Sequence, residues 1–275
     1  MPELPEVETA RRTLLHLVQG KKVQSVDVRW PKIVKEPELD LFRLQLDGEV
    51  IETIERRGKF LLFELSNWTL ISHLRMEGKF SVHDQGDKEE PHTHVVFTFT
   101  DGTELRYRDV RKFGTMHLVK KGMALHHSSL VDLGPEPFSA LFQPEVLQQA
   151  FEKTSRSIKA VLLDQKAVVG LGNIYVDEAL FRAKIHPLRE AKSLTEKEIA
   201  LLYQEIIDTL QEAVELGGST IRTYVNSQGK IGTFQKRLYV YGRTGEPCLV
   251  CGKPIEKIKV AGRGTHICLS CQIVP

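Results

Sequence analysis

All four cysteines of this 275-residue chain fall in its last 28 residues, as Cys248-x2-Cys251 and Cys268-x2-Cys271 with sixteen residues between the pairs. Each pair can clamp one edge of a thiolate tetrahedron, and sixteen residues suffice for a hairpin that brings the pairs together. The spacing therefore predicts one structural zinc ion held by Cys248, Cys251, Cys268 and Cys271. The 247 cysteine-free residues before them exclude a disulfide framework running through the fold. His266 could compete as a ligand, but four cysteines already fill the coordination sphere, and it is expected on the hairpin surface. Lys253, Lys257, Lys259 and Arg263 crowd the stretch between the pairs, opposed by Glu256 alone. Ala261-Gly262-Arg263-Gly264-Thr265 reads as a tight tip where glycines let the backbone approach a phosphate and Arg263 presents a guanidinium outward. Such a hairpin suits either a nucleic-acid probe or a protein-interaction ribbon.

The other end of the chain offers a nucleophile. Pro2 follows the initiator methionine, and a small second residue generally permits methionine removal, which would expose a secondary α-amine. An α-amino group has a reference pKa near 8 against about 10.4 for lysine, so far more of it is neutral at pH 7. A secondary amine attacking an aldehyde-level carbon gives an iminium that stays cationic, a good electron sink for elimination. Glu3 and Glu6 stand beside it, and a carboxyl there can act as a general acid toward a departing oxygen. The plainer alternative is a helix lead-in with favourable charges. Arg56-Arg57-Gly58-Lys59 sets three cations around a glycine, which reads equally as an anion contact or as an exposed basic turn.

These groups need elements to hold them. A helix is predicted from Pro5, with Val7, Ala10, Leu14 and Leu17 on one face and Gly20 as its stop. Seven β-like runs follow: Val23 to Trp30, Glu49 to Arg56, Phe60 to Leu65, Thr69 to Leu74, His94 to Thr100, Glu104 to Tyr107 and Thr115 to Val119. Asp101-Gly102 marks a hairpin, and the spacing suits an antiparallel sandwich. Residues 121–140 are turn-rich and read as a boundary. Helices are predicted over Pro144 to Lys153, Ser157 to Asp164, Asn173 to Ala183 and Thr195 to Leu216, the last opening on a capping box. The fold class is α+β and multidomain: a β-sandwich with a leading helix over 1–130, a helical domain over 131–236 and a zinc hairpin over 237–275.

Formal net charge is only +2, yet from Ile221 onward nine Lys and Arg face two Asp and Glu. A cationic final third points to a polyanionic partner, or to a solvated basic face. No apolar stretch is long enough for a membrane span, and the acidic, proline-bearing start lacks a secretory pattern. A cytoplasmic protein with no membrane contact is expected.

Taken in order, Met1-Pro2-Glu3-Leu4-Pro5-Glu6-Val7-Glu8, Arg56-Arg57-Gly58-Lys59-Phe60, His73-Leu74-Arg75-Met76-Glu77-Gly78, Gly170-Leu171-Gly172-Asn173-Ile174-Tyr175, Tyr241-Gly242-Arg243 and the cysteine module match one family. From Pro2 to Cys271 the chain closely resembles the bacterial formamidopyrimidine-DNA glycosylases. The resemblance implies a monomeric, nucleoid-associated base-excision repair enzyme that removes oxidised purines such as 8-oxoguanine and formamidopyrimidines from damaged duplex DNA, then cuts the strand by β,δ-elimination. It implies Pro2 as the nucleophile at the sugar C1′, Glu3 as the acid for ring opening and Glu6 as a supporting carboxylate. Lys59 matches the lysine of β-elimination and Arg263 the arginine of δ-elimination. Asn173, in the helix–two-turn–helix motif, and His92 match DNA-contacting positions, and Lys153, Arg156 and Lys159 would extend the phosphate surface. Met76, Arg111 and Phe113 match the residues that fill the void left by a flipped base, although Met76 and Phe113 taken alone read as core. Base recognition would fall to Glu77 and a loop over about 217–235 containing Ser219 and Thr223. Two rivals are an endonuclease VIII-like enzyme acting on oxidised pyrimidines and a non-enzymatic zinc-ribbon nucleic-acid binder. Leu4 and the Arg111/Phe113 pair favour the purine branch, and Pro2-Glu3 with Lys59 favours an enzyme.

Overall fold

The computed structural model describes residues 1–219 and 232–273. The chain divides into two units, one of residues Met1–Val131 with Gly217–Gly232 and one of Asp132–Leu216 with Thr233–Pro275.

The first unit opens with helix α1 (Leu4–Val18), whose buried positions Leu4, Val7, Ala10, Leu14 and Val18 recur at spacings of three and four. Glu3 is its N-cap and forms a reciprocal capping box with Glu6. The helix stops before Gly20 at φ +78. Strands β1 (Val23–Val28), β2 (Val34–Glu36), β3 (Ile51–Arg57), β4 (Phe60–Leu65), β5 (Trp68–His73), β6 (Lys79–Asp84), β7 (Thr93–Phe99), β8 (Thr103–Arg108) and β9 (Thr115–Lys120) follow, with helix α2 (Leu39–Leu46) after β2. They form a five-stranded sheet in the order β2-β9-β5-β4-β3 and a four-stranded sheet in the order β1-β7-β8-β6. Phe63 on the first sheet meets Phe80 on the second at 5.2 Å, and Phe80 meets Tyr107 at 4.9 Å, so aromatic edges join the two layers of the sandwich core.

Three elements escaped the sequence pattern. β2 has only three residues and pairs parallel to β9, the one parallel pair among the described strands of the sandwich. β6 is an edge strand with a single buried residue, Phe80, and so shows no alternation. In α2 the buried pair Phe42 and Leu46 is masked by exposed Leu41 and Leu44.

The second unit holds helices α3 (Pro144–Glu152), α4 (Ile158–Leu163), α5 (Asn173–Arg182) and α6 (Glu196–Glu215), then strands β10 (Glu256–Val260) and β11 (Arg263–Ile267). Ser157 caps α4 by accepting Ala160 N–H, and Thr195 with Glu198 forms the expected capping box on α6. α5 is buried from Ile174 through Phe181, all round rather than on one stripe, which marks it as the central helix. Ala261 at φ +50 and Gly262 at φ +74 make the turn between β10 and β11, the two positive values of a type I′ hairpin. Arg263 is thus the first residue of β11 rather than the tip itself. Among the described residues no helix is long and apolar enough to cross a membrane.

Candidate active site

The N-terminal dipeptide after Met1 is held rigidly. Pro2 is buried, and Glu3 and Glu6 are 2% and 3% exposed. Glu6 Oε2 accepts Glu3 N–H at 2.9 Å, while Oε1 accepts the Ser219 N–H at 2.7 Å and lies 3.3 Å from the Ser219 hydroxyl. One carboxylate thereby fixes the backbone beside Pro2 and the entry to the segment after α6. Gly218, at φ +80, makes that approach, and a Cβ there would stand 2.6 Å from Glu6 Oε1. Sequence alone assigned Glu6 only a general supporting part.

Lys59 occupies the two-residue turn between β3 and β4, where Arg57 pairs with Phe60 and Gly58 takes φ +55. Its side chain is largely buried. Arg56 donates to the Gly58 carbonyl at 2.9 Å and to Glu8 at 3.2 Å. Glu8 lies on α1 and also receives Arg11 and Arg12. Burial acts to raise its pKa, but the arginines prevail and hold it below the ordinary carboxylate range. Glu8 and Arg56 thus tie the lysine turn to the helix that carries Glu3 and Glu6. His73, on β5 opposite Phe60, is pushed down to about 3 by burial and then by the Arg75 and Lys59 charges. It stays a neutral acceptor, and its Nδ1 takes the Arg75 N–H at 2.9 Å.

The three residues expected to fill a void lie on two loops. Arg75, Met76 and Glu77 form the turn between β5 and β6, with Arg75 at φ +54, Met76 half-buried and Glu77 exposed. Gly78 closes it by donating to Leu74 O at 2.9 Å. Arg111 and Phe113 lie on the loop between β8 and β9, built around the fully buried Asp109. Asp109 Oδ1 accepts Arg111 N–H at 3.0 Å, and Oδ2 accepts the N–H groups of Phe113 at 2.9 Å and Gly114 at 2.8 Å. Lys112 takes φ +58 between them. The loop presents Phe113, 51% exposed, with the Arg111 guanidinium 4.8 Å over its ring. Phe113 is therefore a surface residue and not core. His92, exposed at φ +69, accepts the Asp109 N–H through its carbonyl.

In the second unit, Asn173 begins α5 and donates from Nδ2 to Gly264 O at 2.9 Å, so it orders the hairpin edge next to exposed Arg263. Gln165 shapes the preceding turn by accepting Gly170 N–H at 2.9 Å. Lys153 and Arg156 are exposed, and Arg156 pairs with Asp164 at 2.7 Å. Lys159 departs from expectation. Its side chain is completely buried, with Nζ 2.6 Å from Asp177 and 2.8 Å from Thr265 Oγ1, so it cannot reach a phosphate and instead braces β11 against α4 and α5. The reason is its tertiary surroundings: its place in the short α4 faces Asp177, whose other oxygen accepts His266 N–H at 2.9 Å. His266 is likewise buried, edge-on to Tyr241 at 4.8 Å, and not a surface residue. The adjacent Glu178 accepts the N–H groups of Tyr239, Val240 and Tyr241. Burial pushes its pKa up against those three donors. Sequence reasoning missed Asp109, Asp177 and Glu178. Two carboxylates inside the apolar run Ile174 to Phe181 were the available signal.

The four cysteine sulfurs lie within 4.8 Å of one another, with Cys248 and Cys271 at 3.9 Å and Cys251 and Cys268 at 3.4 Å. A zinc tetrahedron with bonds of about 2.3 Å has edges of roughly 3.8 Å, so the donor set fits. Burial and then neighbouring thiols push Cys268 and Cys271 above the ordinary thiol range, a cost that a divalent cation removes by taking the thiolates. The module is a structural zinc finger. Thr223 and residues 220–231 of the expected recognition loop lie outside the described residues, whereas 217–219, with Ser219, and 232–235 are described.

The comparisons with known proteins agree with this layout. Residues 1–116 match the formamidopyrimidine-DNA glycosylase N-terminal domain, 133–225 the formamidopyrimidine-DNA glycosylase H2TH domain and 245–273 a zinc finger found in FPG and IleRS. An N-terminal sandwich, a helical H2TH region and a zinc finger define a class of DNA glycosylases. The chain belongs to the formamidopyrimidine-DNA glycosylase family. It is 61% identical to the formamidopyrimidine-DNA glycosylase of Bacillus licheniformis over 99% of both chains, and 57% identical to that of Bacillus subtilis over 99% of both. A Lactococcus lactis FPG variant in complex with Fapy-dG-containing DNA superposes with TM-score 0.95 at 45% identity, covering 99% of this chain and all of that one. The Lactococcus lactis enzyme with abasic-site DNA gives 0.94 at 46% identity over 99% of this chain and all of that one.

Proposed function

We propose that this protein is a base-excision repair DNA glycosylase and AP lyase that removes oxidised purines from duplex DNA through an imine on Pro2. The observation that carries the mechanism is the double grip of Glu6 on Glu3 N–H and Ser219 N–H, which immobilises the backbone at the nucleophile. Once Met1 is removed, the Pro2 nitrogen attacks C1′, the damaged base leaves with the electrons of the glycosidic bond, and the base takes up a proton. Glu3 protonates O4′ as the sugar ring opens, leaving an iminium at C1′. Loss of a C2′ proton then expels the 3′ phosphate, and a second elimination expels the 5′ phosphate. Lys59 serves the first elimination and Arg263 the second.

Met76, Arg111 and Phe113 fill the stack behind the flipped nucleotide, and the Asp109 loop keeps Arg111 and Phe113 projecting. Glu77, Ser219 and Thr223 read the base. Asn173, His92, Lys153 and Arg156 hold the backbone. Relatives bound to Fapy-dG-containing DNA support purine lesions over oxidised pyrimidines. The enzyme works as a monomer on the nucleoid in the cytoplasm, with domains over 1–130, 131–236 and 237–275. Borohydride treatment during turnover of an 8-oxoguanine duplex tests the proposal: it traps a covalent adduct at Pro2. Excision of the base with no adduct at any lesion overturns the imine.

A further inference from the structure

Away from the site above, the described residues bring one further set of metal-ligating side chains together: Glu36 at the end of β2, His117 on β9 and His127 beyond it. β2 runs parallel along β9 and sets Glu36 against His117. A single 3-10 turn over Ala124–His126 then returns the chain, so that the His127 ring packs on the His117 ring with centroids 4.6 Å apart. Glu36 Oε1 lies 3.5 Å from His117 Nδ1 and directly against His127 Nε2. The three ligand atoms all fall within 4.8 Å of one another. His117 Nδ1 is shielded from solvent and has no hydrogen-bond partner.

A buried imidazole nitrogen with no partner is costly. Two imidazoles and one carboxylate are a donor set for zinc and its neighbours in the first transition row. The Glu36–His117 separation of 3.5 Å is close to the edge of about 3.4 Å in a tetrahedron with bonds of roughly 2.1 Å, whereas Glu36 and His127 are in direct contact and must part to that edge as the cation enters. We propose that Glu36 Oε1, His117 Nδ1 and His127 Nε2 form a second divalent-metal site, separate from the zinc finger, that takes Zn²⁺ or Ni²⁺ with water completing the coordination.

The proton balance follows from Ser129. His127 Nδ1 accepts the Ser129 N–H at 3.2 Å and lies 2.7 Å from Ser129 Oγ, so the metal-free ring carries its proton on Nε2, toward Glu36. Entry of the cation moves that proton to Nδ1, where Ser129 Oγ accepts it in place of the backbone bond. An oriented ring with a hydrogen-bonded far nitrogen is the usual support for a metal-bound histidine. To bind through Nδ1, His117 must carry its proton on Nε2. A cation here joins β2, β9 and the chain beyond them, and stabilises the first unit by mass action.

The test is titration calorimetry of ZnCl₂, and separately NiCl₂, into protein that already carries one equivalent of zinc on its cysteines. The proposal expects a second equivalent with a micromolar Kd. Glu36→Gln should weaken it at least tenfold, and His127→Gln should abolish it while the first equivalent and DNA cleavage remain. Cobalt in the second position should show weak d–d bands without the intense thiolate charge transfer of the first. No binding by the unaltered protein beyond the equivalent already on its cysteines overturns the proposal. So does a second equivalent that survives both His127→Gln and His117→Asn.

Discussion

Replacing Lys159 with methionine separates a brace from a DNA contact. The lysine and Asp177 are both fully buried at 2.6 Å, and the same ammonium holds Thr265 on β11. Methionine keeps the length and apolar volume but leaves the Asp177 carboxylate buried, with the His266 N–H still donating to it. Breaking one side of a buried pair costs about 3–5 kcal/mol. At about 2–4 °C per kcal/mol for a chain of this size, the melting transition of the second unit should fall by roughly 6–20 °C. Lys159→Met/Asp177→Leu, which removes both charges, should recover at least about 1 kcal/mol of that loss. Below the transition, the dependence of DNA affinity on salt should keep its slope, because no phosphate contact has been removed. Urea and thermal unfolding give the first quantity and fluorescence anisotropy at several salt concentrations the second. An unchanged melting temperature together with a slope reduced by about 0.9 would refute the burial argument and return Lys159 to the DNA surface.

Four further outcomes follow from the same geometry. Arg263→Ala, on the exposed first position of β11, should lower the salt slope by about one phosphate without changing the melting temperature. Glu6→Ala removes the acceptor of two backbone N–H groups and should slow borohydride trapping by at least tenfold, taking about 1.5–3 kcal/mol for each charge-assisted bond; trapping at the normal rate would contradict the positioning role. An N-terminal extension before Pro2 should abolish the trapped adduct while leaving DNA affinity intact, as a gel and a binding titration would show. For His73, the unfolded ring takes up a proton below about pH 6.5 whereas the folded ring does so only near 3, so the unfolded state binds more protons in that window and stability falls as the pH falls. His73→Phe should flatten urea-derived stability between pH 6.5 and 4.5 by up to about 1.4 kcal/mol per pH unit; equal slopes would discount the buried neutral ring.

Features that depend on near neighbours were legible in the order of residues. Thiolate spacing gave the zinc finger, apolar periodicity gave α1, and Thr195 with Glu198 gave the cap of α6, because each is set by residues close together in the chain. The ordered motifs likewise carried the family. Tertiary structure decided everything that rests on distant partners. Glu6 meets Ser219 across 213 positions and Lys159 meets Thr265 across 106, so neither the grip on the nucleophile nor the burial of a lysine is written in local pattern. Asp109 reads as an ordinary loop carboxylate until its three N–H partners are seen. Glu36, His117 and His127 form a cluster only because a three-residue strand happens to lie parallel along β9. Charge on a side chain is visible in sequence, but whether it faces water or a buried partner is set by which elements pack, and that is a property of the whole fold.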